Sequence, residues 1–200
     1  YTCRTTQDLI EDNVLTKPII QLLKVPESEV DDSELGYRGV YEELIVNNET
    51  RNNMIKDIVD DIRSNHEQAR ILVLVRDLEH GHILQEGIGG SCYFLRGEDD
   101  LGSRYETIRR FTECGENSIL IGTKILQTGV NIREITHFIN ARGLKSPIAT
   151  IQALGRSLRR HDTKEVVYVY DFMDTGKYIG AHANKRFSTY VSEGHEVIKV

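Results

Sequence analysis

Five apolar residues in a row, Ile71-Leu72-Val73-Leu74-Val75, sit between Arg70 and Arg76 with nothing polar among them. A strand with one wet face alternates apolar and polar residues. An unbroken run of this length belongs instead to a strand covered on both faces, as in a parallel sheet between layers of helix. The residues that follow repeat the theme. A helix-compatible stretch at 78–85 leads to a strand at 91–95, a helix around 103–114 and a strand at Ser118–Gly122. A turn around 127–131 then precedes a strand at 135–140, a helix over 150–160, a strand at 166–171 and a closing helix within 176–192. Upstream, Met54, Ile55, Ile58, Val59 and Ile62 recur at helical spacing. Five strands with intervening helices predict an open, mostly parallel, doubly wound α/β sheet with helices on both faces. Before them, residues 5–10 read as a short capped helix, 18–25 as an extended segment and 26–40 as an acidic loop containing Pro26, Gly36 and Gly39.

Composition agrees with one ordinary domain or a tight pair. The chain has 200 residues, 39% of them hydrophobic and 28% charged, and no apolar run long enough to cross a membrane. Cys3, Cys92 and Cys114 are odd in number and far apart, so neither a disulfide framework nor a zinc site is expected, and the reading is a reduced, cytoplasmic-type protein. Tyr1 stands where a start methionine would, with no charged-then-apolar leader after it, so a fragment of a longer, non-secreted protein is expected. The net charge of −6 hides a strong asymmetry: residues 1–100 carry −11, residues 101–160 carry +6 with no Asp, and residues 161–200 carry −1. The basic block could face phosphates or form an ordinary solvated face.

In such sheets the working loops lie beyond the carboxyl ends of the strands. There the sequence places Arg76 to Gly81, then Gly122-Thr123-Lys124, then Gln127-Thr128-Gly129-Val130-Asn131, and finally the segment from Gln152 to Arg160. On a helix, Arg156 and Arg159 project from one face, and Gln152 shares it. Gly155 allows close backbone approach. Two forked, permanently charged donors suit a polyphosphate, and they equally suit salt bridges with the acidic half of the chain. Thr123 offers a hydroxyl to a phosphate or to the next helix as a cap. His80, His82, His137, His161 and His182 lack metal spacing, and no nucleophile elbow accompanies them.

Taken in order, these signals resemble a known family. They run as a buried strand with Glu-His-Gly, then Phe-Leu-Arg-Gly, Arg-x4-Arg-Arg-Phe, Ile-Gly-Thr-Lys-x4-Thr-Gly-Val-Asn-Ile and Gln-x2-Gly-Arg-x2-Arg. Together they look like the second RecA-like domain of superfamily 2 helicases, in the phage and bacterial DNA helicase/translocase branch. The resemblance covers nearly the whole chain. It implies a P-loop NTPase-type fold without its own P-loop, with residues 1–47 as an interdomain, linker-derived segment packing on the domain and 48–200 as the domain itself. The ending Tyr-Asp-Phe-Met-Asp…His-Ala-Asn-Lys-Arg…Tyr is similar to that branch's closing strand and helix.

By the same resemblance, residues 71–81 match motif IV, which brings Arg76, His80 and Gly81 to nucleic acid, with Gly97 nearby. Thr123 and Lys124 would touch the nucleic-acid backbone from motif V. Gly129 would lie beside the nucleotide and Asn131 near the ribose, where many relatives have Asp. Arg156 and Arg159 match motif VI and would act as arginine fingers on the γ-phosphate of ATP, with Gln152 and Gly155 at the nucleotide. The implied partners are DNA, single-stranded or branched, with RNA not excluded, and an N-terminal RecA-like domain of the same polypeptide, in a bacterial or phage-infected cell.

An absence bears equally on function. No G-x-x-x-x-G-K-[ST] occurs anywhere, and no Asp-Glu pair ends a buried strand. ATP and Mg²⁺ would therefore be bound mainly by another domain, and this chain alone is expected neither to hydrolyse ATP nor to unwind DNA. The alternative from another class is a non-catalytic nucleic-acid-binding module that retains the helicase fold. A dinucleotide-binding domain has little support, because no G-x-G-x-x-G follows the first buried strand.

Overall fold

Every residue of the strand Arg70–Leu74 is buried, and alternate side chains enter opposite cores, as the two-residue period of a strand requires. The computed structural model describes residues 10–12, 14–123, 132–146 and 166–200. In chain order its elements begin with β1 (Lys17–Lys24) and α1 (Tyr37–Tyr41), which continues into a π-helical turn (Glu42–Val46). Next come α2 (Glu49–Asn65), β2 (Arg70–Leu74), α3 (Leu78–Ile88), β3 (Cys92–Leu95), α4 (Leu101–Glu113) and β4 (Ser118–Gly122). The described elements end with β5 (His137–Asn140), β6 (Val166–Met173), α5 (Ile179–Ser192) and β7 (Glu196–Lys199). The expected turn at 127–131 and helix at 150–160 lie outside the described residues.

The strands form one seven-stranded sheet in the order β3-β4-β2-β5-β6-β1-β7, and every neighbouring pair is parallel. On one face, Ile71, Val73 and Val75 pack against Ile55, Ile58, Val59 and Ile62 of α2 and Leu84 and Ile88 of α3. On the other, Leu72 and Leu74 join Phe111 of α4 and Tyr190 of α5. Each such side chain, fully buried, contributes roughly 1.5–3 kcal/mol. This is the doubly wound arrangement expected from the sequence.

Local signals set the helix ends. Asn48 caps α2 by accepting from the Arg51 N–H at 3.0 Å, and Asp100 caps α4 by accepting from Gly102 and Ser103 at 2.8 and 3.0 Å. At the other end of α4, the Arg70 guanidinium donates to the carbonyls of Thr112, Cys114 and Glu116, occupying acceptors that a helix end leaves open.

Two expectations change. The sheet has seven strands rather than five, because β1 and β7 join it. Residues 17–24 do more than pack on the domain. They form an interior strand paired with β6 from Lys17↔Val166 to Lys24↔Met173 and with β7 on the other side. The stretch 26–40 is also not all loop. α1 begins at Tyr37, and with the π-helical turn it buries Val40, Tyr41, Leu44, Ile45 and Val46 against Ile179 of α5.

Buried imidazoles give the fold a pH dependence. His137 is 2% exposed, stacked on Tyr168 at 5.1 Å, and burial pushes its pKa down to about 3, helped by His66. His80 is driven to about 3 by burial and the charge of Arg51. His182 and His195 shift the same way, chiefly through burial. An unfolded chain protonates these rings near 6.5, so below that pH it binds more protons than the folded chain. Stability present above pH 6.5 is therefore lost as pH falls toward 3, by up to about 1.4 kcal/mol per pH unit for each fully shifted ring. Urea midpoints measured on either side of this value are expected to be lower on the acid side. Equal midpoints would contradict the assignment.

Candidate functional site

In an all-parallel sheet the carboxyl ends of the strands share one edge, and pairing fixes which residues meet there. Leu95 of β3 pairs with Gly122 of β4, and Gly122 pairs with Leu74 of β2. The Val75 N–H donates to the Gly122 carbonyl at 3.0 Å, so the ladder continues to the brink. Thr123 follows Gly122 directly, and Gly97 and Arg76 stand two residues after Leu95 and Leu74. They stand on three consecutive strand ends, about 4.8 Å apart per strand, although the chain separates them by up to 47 positions.

Each is held differently. The Gly97 carbonyl accepts from Arg104 Nη2 at 2.5 Å, and the Arg96 N–H donates to Asp99 at 2.6 Å, closing the loop after β3. Thr123 is half-buried at the end of β4. The Arg76 guanidinium lies over the Tyr41 ring at 4.5 Å and the Tyr37 ring at 5.7 Å. Asp77 approaches it at 3.8 Å, and its side chain stays 39% exposed. An arginine laid on aromatic faces keeps its charge at the surface with less freedom to lose on binding.

His80 and Gly81, expected at nucleic acid, are instead interior residues of α3. His80 is 0% exposed, and its Nε2 meets Asn52 Oδ1 of α2 at 3.0 Å. A Cβ at Gly81 would come within 2.3 Å of Phe94 Cζ, so the glycine is there to let α3 approach β3. Both shape the loop that presents Arg76, and neither offers a surface for direct contact. Lys124, Gly129, Asn131, Gln152, Gly155, Arg156 and Arg159 lie outside the described residues.

Beneath the ends of β5 and β6 lies a charged network that the sequence reading missed. Arg186 donates through Nε to both oxygens of Asp171 at 3.1 Å and through Nη2 to Asp174 at 3.0 Å. Arg51 donates to the other oxygen of Asp174 at 2.7 Å. Asn140 and Tyr190 complete Asp171 at 3.0 and 2.6 Å. Both arginines are at most 1% exposed. Burial disfavours the Arg186 charge, and Asp171 with Asp174 outweighs it, holding its pKa above the ordinary value. Burial and the Asp171 charge likewise raise the Tyr190 hydroxyl.

The network also reaches the loop after β5. Arg51 donates to the Ala141 carbonyl and Arg186 to that of Leu144, each at 3.1 Å, while the Tyr41 hydroxyl donates to the Arg142 carbonyl at 2.9 Å. It thereby anchors residues 141–144, which follow β5. A sequence signal did exist. Arg51 stands four and seven residues before Ile55 and Ile58, and Arg186 stands three after Ala183 and four before Tyr190, so both charges interrupt apolar helical stripes. Because Asp171 and Asp174 are fully engaged by cations, they do not fit a divalent ion. Among the described residues no cluster of three or more His, Cys, Asp or Glu suits a metal.

With this geometry in hand, comparison with known proteins is informative. The chain matches the helicase conserved C-terminal domain family over residues 50–161. It is 26% identical over 188 residues to the ATP-dependent DNA helicase uvsW of enterobacteria phage T4, covering 91% of this chain and 37% of that protein. It is 34% identical over 98 residues to the ATP-dependent RNA helicase SrmB of Escherichia coli K12, covering 46% of this chain and 21% of that protein. The chain thus spans well under half the length of either relative. The crystal structure of T4 UvsW shares the fold, with a TM-score of 0.71 at 22% identity over 92% of this chain and 41% of that one. The family match takes in more than half of the sequence and encloses all three residues of the strand-end row. The chain therefore belongs to the helicase conserved C-terminal domain family, with a RecA-like fold.

Proposed function

We propose that this chain is the C-terminal motor domain of an ATP-dependent DNA helicase or translocase, working with an N-terminal RecA-like domain of the same polypeptide. One observation carries the reading. The helicase C-terminal match spans residues 50–161, while no phosphate-cradling G-x-x-x-x-G-K-[ST] occurs in the sequence. A domain of this family without that loop grips the strand and triggers hydrolysis, and leaves the phosphates to its neighbour. DNA is favoured over RNA because the similarity to the DNA helicase runs over 91% of the chain and that to the RNA helicase over 46%.

In this reading Gly97, Thr123, Lys124 and Arg76 hold the nucleic-acid backbone along the strand-end edge, and His80 and Gly81 act through the packing of α3. Arg156 and Arg159 face the γ-phosphate of ATP, with Gln152, Gly155, Gly129 and Asn131 around the nucleotide. Phosphoryl transfer places charge on oxygens as it proceeds, and fixed guanidinium groups stabilise that charge. Because these groups come from a second domain, hydrolysis depends on closure, and closure carries the gripping edge along the strand. Mg²⁺ falls to the other domain in this reading, since Asp171 and Asp174 are already paired with Arg51 and Arg186. No helix among the described residues is long and apolar enough to cross a membrane, and we place the protein in the cytoplasm of a bacterial or phage-infected cell.

The test is strand binding by the full-length protein carrying Thr123→Ala and Lys124→Ala. Affinity for single-stranded DNA is expected to fall roughly ten-fold, the salt slope to shrink by about 0.7 for the lost phosphate contact, and ATP analogues to shift the affinity of the parent. A loss of affinity with no response to ATP would favour the non-catalytic binding module. Unchanged affinity would refute the grip.

A further inference from the structure

Next to the gripping edge, over the ends of β5 and β6, lies a cluster of rings that packing alone does not account for. Tyr178 is 43% exposed. It is the one non-glycine residue with positive φ among the described residues, at 62°, a conformation that costs an L residue of this bulk about 1–2 kcal/mol. Its ring meets Tyr37 edge-on, with centroids 6.0 Å apart at 75°. Tyr37 in turn contacts His182 at 5.6 Å and lies under the Arg76 guanidinium.

The loop carrying Tyr178 is pinned. The Lys177 N–H donates to Asp32 at 2.6 Å, and its Nζ donates to the carbonyls of Ser33 and Leu35 at 2.7 and 3.2 Å. The strained tyrosine is therefore held outward by contacts with the segment before α1. The surroundings are cationic. Arg76 lies over the Tyr37 ring and Lys177 Nζ over the Tyr178 ring at 5.4 Å, and Lys145 acts on His182 from the loop after β5. Three carboxylates act on the cluster: Asp77 beside Arg76, Asp32 beside Lys177, and the buried Asp174 toward His182.

We propose that Tyr178, backed by Tyr37 and Arg76, is a stacking site for one unpaired base of a nucleic-acid strand whose backbone lies along the edge. This rests on the grip proposed above and adds a contact to a base, which the phosphate-holding residues do not supply. Three features favour a base. Aromatic faces joined to a guanidinium suit a flat, polarisable ring. Cations beside them suit the phosphates that flank it. The distance also fits, since from Thr123 on β4 to the end of β6 is three strand spacings, about 14 Å, within reach of a short single strand. A tyrosine fixed in a strained backbone also pays its ordering cost before the strand arrives.

The test uses full-length protein and two strands of equal length, oligo-dT and an abasic strand with the same phosphates. The parent is expected to bind oligo-dT about 5- to 150-fold more tightly than the abasic strand. Tyr178→Ala is expected to remove most of that ratio while leaving abasic affinity unchanged, and Tyr178→Phe to keep it. A parent ratio near one, or Tyr178→Ala weakening both strands equally or neither, would overturn the proposal. A rise in KM for ATP with strand binding unchanged would assign the ring to the nucleotide and also overturn it. Thermal unfolding of each variant separates a lost ring from a lost fold. Failure of the grip itself is read separately, from Thr123→Ala leaving abasic affinity intact.

Discussion

Arg156→Ala in the full-length protein is expected to lower DNA-stimulated ATP turnover by ~10³-fold or more, with the KM for ATP and the affinity for DNA changed far less. The split follows from the proposed role of the guanidinium at the γ-phosphate. A group that meets the γ-phosphate only when the domains close, and meets it most strongly as charge develops, contributes to kcat and little to ground-state binding. Arg159→Ala is expected to act in the same direction. If the two arginines instead form salt bridges with the acidic half of the chain, Arg156→Ala would lower stability and leave turnover per folded molecule intact. Steady-state ATPase with denaturant unfolding of the same preparations distinguishes the two.

Arg186→Ala is expected to destabilise the domain by about 3–5 kcal/mol, the usual cost of removing one partner from a buried ion pair. The substitution strips Asp171 of the guanidinium that bridges both its oxygens and Asp174 of one of two arginines, leaving buried carboxylates short of a compensating cation. Against a total stability of about 5–15 kcal/mol the loss is large, and the melting temperature is expected to fall by roughly 6–20 °C for a domain of this size. A loss below about 1 kcal/mol would mean that the network is solvated rather than buried. Asp174→Asn removes the carboxylate shared by Arg51 and Arg186 and is expected to lower stability in the same direction.

The parts of the fold written in local sequence were readable, and the parts made by distant pairing were not. β2 and β4 are apolar at every position or nearly so, and an unbroken run already specifies a strand buried on both faces. β1 reads as extended, but nothing within Lys17–Lys24 says that its neighbour is a strand starting at Val166. β7 is four residues long and mostly exposed, so it carries almost no apolar pattern. α1 follows an acidic stretch and carries Gly39 within it, so only Val40 and Tyr41, with Leu44, Ile45 and Val46 of the π-helical turn, mark a buried face.

At the site, the row of Gly97, Thr123 and Arg76 follows from the rule that loops gather at strand ends, which needs no contact map. His80 illustrates the limit of that rule. It lies four residues beyond Arg76, but helix α3 has already begun and turns the ring inward to Asn52. The network of Arg51, Asp171, Asp174 and Arg186 could have been suspected from charges on apolar helical stripes, yet its pairings span up to 123 positions and become definite only in three dimensions.

The central claim is that this chain is one half of a two-domain motor, and the coding sequence immediately upstream of Tyr1 tests it most directly. Within about one or two domain lengths, of 50–250 residues each, that sequence is expected to encode G-x-x-x-x-G-K-[ST] followed by a strand-ending Asp-Glu. A start codon preceded by neither motif would contradict the claim and leave a strand-binding module without a motor.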